Sequence, residues 1–423
     1  MRLGILTLHA QLNYGGLLQC WALQKALGRL GHDVQVVDVW LDRENRRVKG
    51  PFAGYPLKTW RHFLWQIVLG TGDGGRLVRC WRTMRFLRRR LKLTPYHFCD
   101  WRDAPADLGV DTLVVGSDQV WHGGDWGNPR PFLLDGAPSI PAIAYAGSFG
   151  MAALPERMKR CTDVEKLYRE GLARFQSLSC REVEGVRLCA ELGFSARHVV
   201  DPTLLLPPAE WEPLLGRPRR HSRVGRPRRI AVYFLSEDIP AALRLLEEWA
   251  KRENCRVELF VDKFFHPQPT AFSAWLRQVL PRVGTRVKVR LSAGPEEFAR
   301  GVTQADALVT DSFHALMFAA IGDVNVRFVR PASALRQRMF ARIAEFASCV
   351  KGPLVADSLA AALASLAADE RVVYDVAALD ARRADSLDYL QSALRQVVMG
   401  LKSLPPEKQN VALSGMTRTD VAR

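Results

Sequence analysis

The sequence predicts an α/β protein built from two doubly wound domains that face each other across a cleft. Three observations carry that expectation. Short, wholly apolar runs recur along the chain and alternate with stretches whose apolar residues fall three and four apart, as buried parallel strands separated by helices require. At 423 residues the chain is longer than one hydrophobic core usually organises. The alternation breaks near the middle, at a Pro/Arg-rich stretch, and then resumes.

Composition narrows the partners. Hydrophobic residues make up 48% and charged residues 25%, an ordinary globular balance. The net charge of +16 favours an anionic partner: a phosphorylated metabolite, an acidic glycan, a lipid headgroup or nucleic acid. The eight cysteines are scattered, with no Cys-x-x-Cys pair and no Cys/His cluster at ligand spacing, so neither a metal site nor a disulfide framework is expected. The apolar run at the start is too short for a signal peptide, and no window reaches the ~18 apolar residues of a membrane span. The expectation is a soluble protein of the reducing cytoplasm.

Leu3–Leu8 reads as a first strand. It runs into Asn13-Tyr14-Gly15-Gly16 and a helix from Leu17 to Leu30, and Val34–Val39 is the next strand. Gly15-Gly16 either lets backbone approach a ligand closely or makes a plain tight turn. Arg79–Lys92 reads as a basic amphipathic helix, with Trp81, Met84, Leu87 and Leu91 on its apolar side. It is either a solvated surface helix or a face for an anionic membrane or glycan. Asp111–Gly116 is a buried strand that delivers Ser117, Asp118, Gln119 and Trp121 at its carboxyl end, and Pro141–Gly147 repeats the arrangement. A helix around Glu156–Glu170, a strand at Gln176–Cys180 followed by Arg181-Glu182, a helix to Leu192 and a strand at Arg197–Asp201 complete the first unit.

The break follows. Residues 207–229 form a Pro/Arg linker whose last thirteen residues hold seven arginines. It lacks the interleaved aromatics that base stacking needs, so no specific nucleic-acid binding is expected. Strands then fall at Ile230–Leu235, Arg256–Val261, Val287–Leu291, Asp306–Thr310 and Val324–Val329, with helices at Ala241–Lys251, Ala274–Leu280 and Glu296–Gln304. The expected organisation is a Rossmann-like domain over 1–206, the linker 207–229, a second such domain over 230–381, a bracing helix over 382–402, and a polar tail over 403–423. Two such domains with ligands in the cleft between them make the GT-B arrangement.

The chain is organised around Ala305–Ile321. There a buried strand runs straight into a helix that Asp311 or Ser312 can cap. His314 falls in the first helical turn, beside backbone N–H groups that have no partner within the helix, where an anion is favoured.

With these pieces placed, the chain resembles the polysaccharide pyruvyltransferase family over roughly residues 2–350. The resemblance rests on Asn13-Tyr-Gly-Gly16, Val115-Gly-Ser-Asp-Gln-Val-Trp121, Tyr145-Ala-Gly-Ser-Phe-Gly150, Arg181-Glu182, Asp201-Pro-Thr-Leu-Leu205 and Thr310-Asp-Ser-Phe-His314, in that order and spacing. It implies a GT-B-like fold and transfer of a pyruvyl group from phosphoenolpyruvate to two hydroxyls of a sugar, giving a cyclic ketal. Phosphoenolpyruvate is a substrate, and no cofactor or metal is implied. The match further implies that His314 is the catalytic acid/base and that Arg181 helps hold phosphoenolpyruvate, with Ser312 and Phe313 beside it. Many members carry an Arg where this chain has Ser312, and an Asn where it has His122. Asp118 is a candidate to accept a hydroxyl proton. Asn13, Tyr14, Gly15, Gly16, Ser117, Gln119 and Trp121 are candidates for the acceptor side, Trp121 by stacking on a sugar ring. Donor binding is expected to favour the imidazolium of His314. The acceptor would be a sugar or oligosaccharide, free or lipid-linked, and the protein cytoplasmic or peripheral at the inner face of the membrane. The competing expectations are a nucleotide-sugar glycosyltransferase and a non-catalytic polyanion or glycan binder.

Overall fold

The structure is a computed structural model. It describes residues 1–9, 13–39, 72–123, 128–151, 153–156, 163–216, 227–235, 239–261, 286–331 and 341–402. The expected helix at Ala274–Leu280, most of the arginine-rich stretch and the tail over 403–423 lie outside them.

In the first domain, strands β1 (Arg2–Leu6), β2 (Asp33–Val39), β3 (Leu93–Phe98), β4 (Thr112–Gly116) and β5 (Ala142–Tyr145) form a parallel sheet in the order β3-β2-β1-β4-β5. The short parallel pair β6 (Ser179–Cys180) and β7 (Arg197–His198) continues it, bridged to the β5 edge through Ile143–Ser177 and Gly147–Cys180. Helices α1 (Tyr14–Arg29), α2 (Gly72–Arg90), α3 (Val164–Leu172) and α4 (Val183–Glu191) connect these strands. β4 is buried along its whole length, as a strand covered on both faces must be. β3 was not expected, because Leu93-Thr-Pro-Tyr-His-Phe98 alternates polar and apolar residues and contains a proline. It lies at the sheet edge, where a proline is tolerated.

After α5 (Pro202–Leu205) and α6 (Pro208–Leu215), the second domain repeats the plan. Its strands are β8 (Arg229–Tyr233), β9 (Arg256–Phe260), β10 (Val287–Arg290), β11 (Ala307–Thr310) and β12 (Asn325–Val329), and its helices are α7 (Ile239–Arg252), α8 (Pro295–Thr303), α9 (Phe313–Ile321) and α10 (Ala341–Ala347). The short strands β13 (Val350–Lys351), β14 (Val355–Ala356) and β15 (Val373–Tyr374), with α11 (Leu359–Ala367) and α12 (Val376–Lys402), end the described chain. The second sheet is parallel in the order β10-β9-β8-β11-β12-β14. In each sheet the chain reverses its direction of travel beside a central strand, between β1 and β4 in one and between β8 and β11 in the other. Ligands in such sheets bind outside the carboxyl ends of the strands at those reversals. The expected architecture, two Rossmann-like domains facing across a cleft in a GT-B-like manner, is the one observed.

Two boundaries differ from the sequence expectation. The linker expected from residue 207 begins instead as α6, whose Pro208 sits at a first helical position and whose Trp211, Leu214 and Leu215 are buried at helical spacing. Trp211 lies between the domains, 4.9 Å from the Trp21 ring and 5.1 Å from the Phe318 ring, and one hydrophobic cluster runs through all three. The last helix starts at Val376, ahead of the expected 382, and crosses back to the first domain. There its Tyr389 hydroxyl donates to the Ala144 carbonyl at 2.8 Å, and its Ser386 hydroxyl accepts from the Val200 amide at 3.0 Å. Leu390, Ala393, Leu394 and Val397 are its buried stripe.

Candidate active site

Each domain presents a helix N-terminus to the cleft. In the first, Asn13 caps α1 and accepts the Gly15 amide at 2.9 Å. In the second, Ser312 caps α9, its amide held by the Thr310 hydroxyl at 3.0 Å and its hydroxyl facing the Ala315 amide at 3.5 Å. Asp311, the other candidate cap, instead accepts the Leu235 amide at 2.6 Å and ties the end of β8 to the end of β11. His314 is the second residue of α9. A β-carbon built on Gly15 would stand 2.3 Å from its Nδ1 and 2.4 Å from its Cγ, so the two helix starts touch through these residues.

The other nitrogen, Nε2, faces a buried charged cluster. It lies 3.5 Å from Nη1 of Arg181 and 3.7 Å from Oδ2 of Asp201. Arg181 follows β6, and its side chain is only 1% exposed. Its Nη1 donates to Asp201 at 2.9 Å and its Nε to Glu182 at 3.2 Å, while Nη2 is 3.9 Å from Asp118. The Phe313 ring lies 4.8 Å from the guanidinium carbon, a cation–π contact. Burial would by itself lower the Arg181 pKa, but the carboxylates of Glu182, Asp201 and Asp118 outweigh it and raise the value. Burial would likewise raise the Asp201 pKa. His314, Arg181 and the Thr203 donors together hold it below the ordinary aspartate value of 3.8. Three carboxylates surround one guanidinium, so a protonated His314 would be the second cation of the group.

The charged residues of this cluster lie just beyond the carboxyl ends of strands: Asp118 follows β4, Arg181 and Glu182 follow β6, Asp201 follows β7 and His314 follows β11, while Gly15 is the second residue of the helix after β1. Asp118 is a non-glycine residue at φ 61°, a left-handed conformation that Asp tolerates better than most. That turn brings its carboxylate to Arg181 and to Gly16, where a β-carbon would meet Oδ2 at 3.3 Å.

Several residues expected to contact the acceptor have other duties. Trp121 is 0% exposed, packed against Phe149 and Phe175, with its Nε1 toward the Phe132 carbonyl at 3.4 Å. It is a core residue and has no free face for a sugar ring. Tyr14 is also 0% exposed. Its hydroxyl donates to the Ala293 carbonyl at 2.7 Å and its ring stacks on Phe298 at 4.6 Å, so it joins the domains. Ser117 is buried, 3.5 Å from Asp201 Oδ2, and supports that carboxylate. Asn13 is a helix cap. Gln119, beside Asp118, is half-buried. Sequence reading assigned no role to Glu182 or Asp201. The signals were present: a carboxylate directly after the arginine, and an Asp-Pro-Thr capping pattern directly after a strand.

Among the described residues, no group of three or more His, Cys, Asp or Glu side chains is arranged to hold a metal ion. No described helix is long and apolar enough to cross a membrane.

Solved structures similar to this chain include UDP-N-acetylglucosamine 2-epimerase from Rickettsia bellii, 9% identical, covering 94% of this chain and 97% of that one at a TM-score of 0.49. UDP-GlcNAc 2-epimerase from Methanocaldococcus jannaschii is 13% identical over 78% and 84% at 0.39. MurG from Acinetobacter baumannii is 13% identical over 97% of each chain at 0.37. None of these bears on the reaction. No curated protein matches the sequence. A family model for polysaccharide pyruvyl transferase matches residues 13–333, well over half of the chain and the whole span from the Asn13 cap to beyond His314, and the chain belongs to that family.

Proposed function

We propose that the protein transfers a pyruvyl group from phosphoenolpyruvate to two hydroxyls of a sugar and forms a cyclic ketal during polysaccharide synthesis. The observation that carries the reading is the position of His314, at a helix N-terminus and against the buried Asp201–Arg181 pair. The enol phosphate becomes electrophilic at C2 when its methylene carbon takes a proton, and histidine, whose ordinary pKa lies near neutrality, suits that step. The cation that develops at C2 is favoured by the carboxylates of Asp118, Glu182 and Asp201. A first acceptor hydroxyl adds to C2 and gives its proton to Asp118. The C2–O bond to phosphorus then breaks and phosphate leaves with the electron pair, toward the amides that open α9 and the Ser312 hydroxyl. A second hydroxyl closes the ring and gives its proton to His314, neutral since the first step.

Arg181 has a different role here from the one the resemblance implies. Its donors already face carboxylates, so it frames the site, and it meets the donor only if a carboxylate yields. This assigns the donor phosphate mainly to the helix start and to Ser312, the position where many relatives carry an Arg.

The test is thermal stabilisation of the protein by phosphoenolpyruvate against phosphate, pyruvate and a panel of nucleotide sugars. A ligand at about 100 times its Kd stabilises the native state by roughly 2.7 kcal/mol. Selective stabilisation by phosphoenolpyruvate, followed by turnover to a ketal, supports the reading. A shift with a nucleotide sugar alone replaces it with glycosyl transfer.

The same reading includes an acceptor held on a lipid. Trp81 of α2 is 57% exposed, with the Arg85 guanidinium 5.4 Å from its ring, and Arg88 and Arg89 are exposed on the turn that follows. An exposed Trp among arginines suits the interface of an anionic bilayer. Co-sedimentation with anionic vesicles, lost in Trp81→Ala and absent with neutral vesicles, is the expected result. Equal behaviour with both vesicle types removes this part of the proposal.

A further inference from the structure

The residue next to His314 that best matches a dedicated purpose is Asp201. It stands between β7 and α5, and the residue before it is held on both sides. The Val200 amide donates to Ser386 on α12 at 3.0 Å, and the Val200 carbonyl accepts the Tyr145 hydroxyl at 2.9 Å. Its own carboxylate is divided in function. Oδ1 accepts the Thr203 amide at 2.9 Å and the Thr203 hydroxyl at 2.7 Å. Oδ2 is thereby turned the other way, toward Arg181 Nη1 at 2.9 Å, Ser117 Oγ at 3.5 Å and His314 Nε2 at 3.7 Å. The Asp201 side chain is 0% exposed and that of His314 13%, so water screens the pair weakly.

We propose that Asp201 is the positioning residue of His314, a fixed buried carboxylate that orients the imidazole across the domain boundary and stabilises its protonated form. The inference rests on the reading of His314 as the acid/base group. Three features make Asp201 suited to this and its neighbours less so. It is the carboxylate whose oxygen faces the imidazole directly, whereas Glu182 and Asp118 act on Arg181. It belongs to the first domain while His314 belongs to the second, so the pair is formed only when the domains are seated together. On the opposite side of the ring Gly15 leaves no room for retreat. An acid that must protonate carbon needs a populated imidazolium, and Arg181 at 3.5 Å opposes that form. Asp201 is the counter-charge that restores it, with Asp118 and Glu182 acting from behind the guanidinium.

The experiment follows the His314 imidazole by NMR in the full-length protein labelled at histidine, without donor or acceptor. Its resonance is identified by its loss in His314→Gln. Asp201→Asn is expected to lower the His314 titration midpoint by about one pH unit or more, as removal of an opposite charge at this distance does. Glu182→Gln, which removes another carboxylate partner of Arg181, is expected to move it much less. An unchanged midpoint in Asp201→Asn, or an equal shift in both variants, overturns the proposal. If Asp201→Asn does not fold, the reciprocal measurement decides, because coupling between two titrating groups works in both directions. In His314→Gln the Asp201 carboxyl resonance then titrates at higher pH than in the wild type, and no movement overturns the proposal. Neither arm uses phosphoenolpyruvate. Failure of the donor assignment therefore leaves the Asp201–His314 result standing, and failure here leaves the donor assignment to its own test.

Discussion

Gly15 and His314, from different domains, meet so closely that a β-carbon on the glycine would stand 2.3 Å from the imidazole Nδ1. Side-chain carbons do not approach at that distance, so the imidazole holds its place only because residue 15 has no side chain. Gly15→Ala must push His314 out of line with Asp201 and Arg181 or separate the helix starts. The expected result is a turnover loss on the order of a hundredfold from misplacement of the acid, with a stability cost of about 1–3 kcal/mol for overpacking. Steady-state kinetics beside a urea melt separate the two effects, and wild-type turnover in Gly15→Ala would contradict this view of the contact.

Trp121→Ala is expected to act on stability, and not through the acceptor. A buried tryptophan removed from between Phe149 and Phe175 leaves a cavity worth about 3–5 kcal/mol. The check is the urea midpoint together with acceptor KM in the fraction that stays folded. A raised KM at unchanged stability would return Trp121 to the sugar site.

Arg181→Ala leaves Asp201, Glu182 and Asp118 with their shared cation removed. Breaking a buried ion pair by deleting one partner costs roughly 3–5 kcal/mol, so this variant is expected to lose stability before it can report on donor affinity. Arg181→Lys should recover only part, since one ammonium cannot match a planar fork directed at two carboxylates. Full stability in Arg181→Ala, measured by urea unfolding at neutral pH, would show that the cluster is held by other means.

Asp201 also sets an acid limit. Its folded pKa lies below the ordinary 3.8, so the ionised form stabilises the native state at every pH above the unfolded value. That contribution is lost as pH falls from about 3.8 through the lower folded pKa. In Asp201→Asn the unfolding free energy should therefore fall less steeply with pH across this acid window, while at neutral pH the variant is less stable than wild type. Identical slopes in urea titrations across that window would rule out a paired, ionised Asp201.

Tyr14→Phe removes the hydroxyl that donates to Ala293 and leaves a buried carbonyl across the domain boundary. The expected cost is about 1–3 kcal/mol, the penalty for a buried polar group left unpaired. Because the bond joins α1 to the segment before α8, the loss should appear as faster amide exchange on both sides of the cleft. Exchange confined to α1 would contradict the role of Tyr14 as a bridge.

Much of the fold was legible because its signals are local. A parallel strand covered on both faces is a continuous apolar run, and β4 and β11 announce themselves in that way. Helix starts are equally local, so Ser312 as a cap and His314 in the first turn follow from a few adjacent residues. β3 escaped because an edge strand need not be apolar on both faces. α6 escaped because prolines and arginines around it outweighed the Trp211, Leu214 and Leu215 stripe.

The sequence by itself determined the two-domain α/β plan, the strand ends at which chemistry can sit, and the presence of His314, Arg181 and Asp118 at such ends. Tertiary structure alone decided which of those ends meet. Gly15 and His314 are separated by nearly three hundred residues and belong to different domains, yet they touch. Asp201 reaches His314 because α5 packs beside both α1 and α9. Tertiary structure also decided that Trp121 and Tyr14 serve the core and the domain boundary, since a residue beyond a strand end can point into the cleft or away from it. The physical reason is that propensity, capping and periodicity act over a few residues, whereas a charge or a ring takes its function from whatever the packed chain brings within a few ångströms of it.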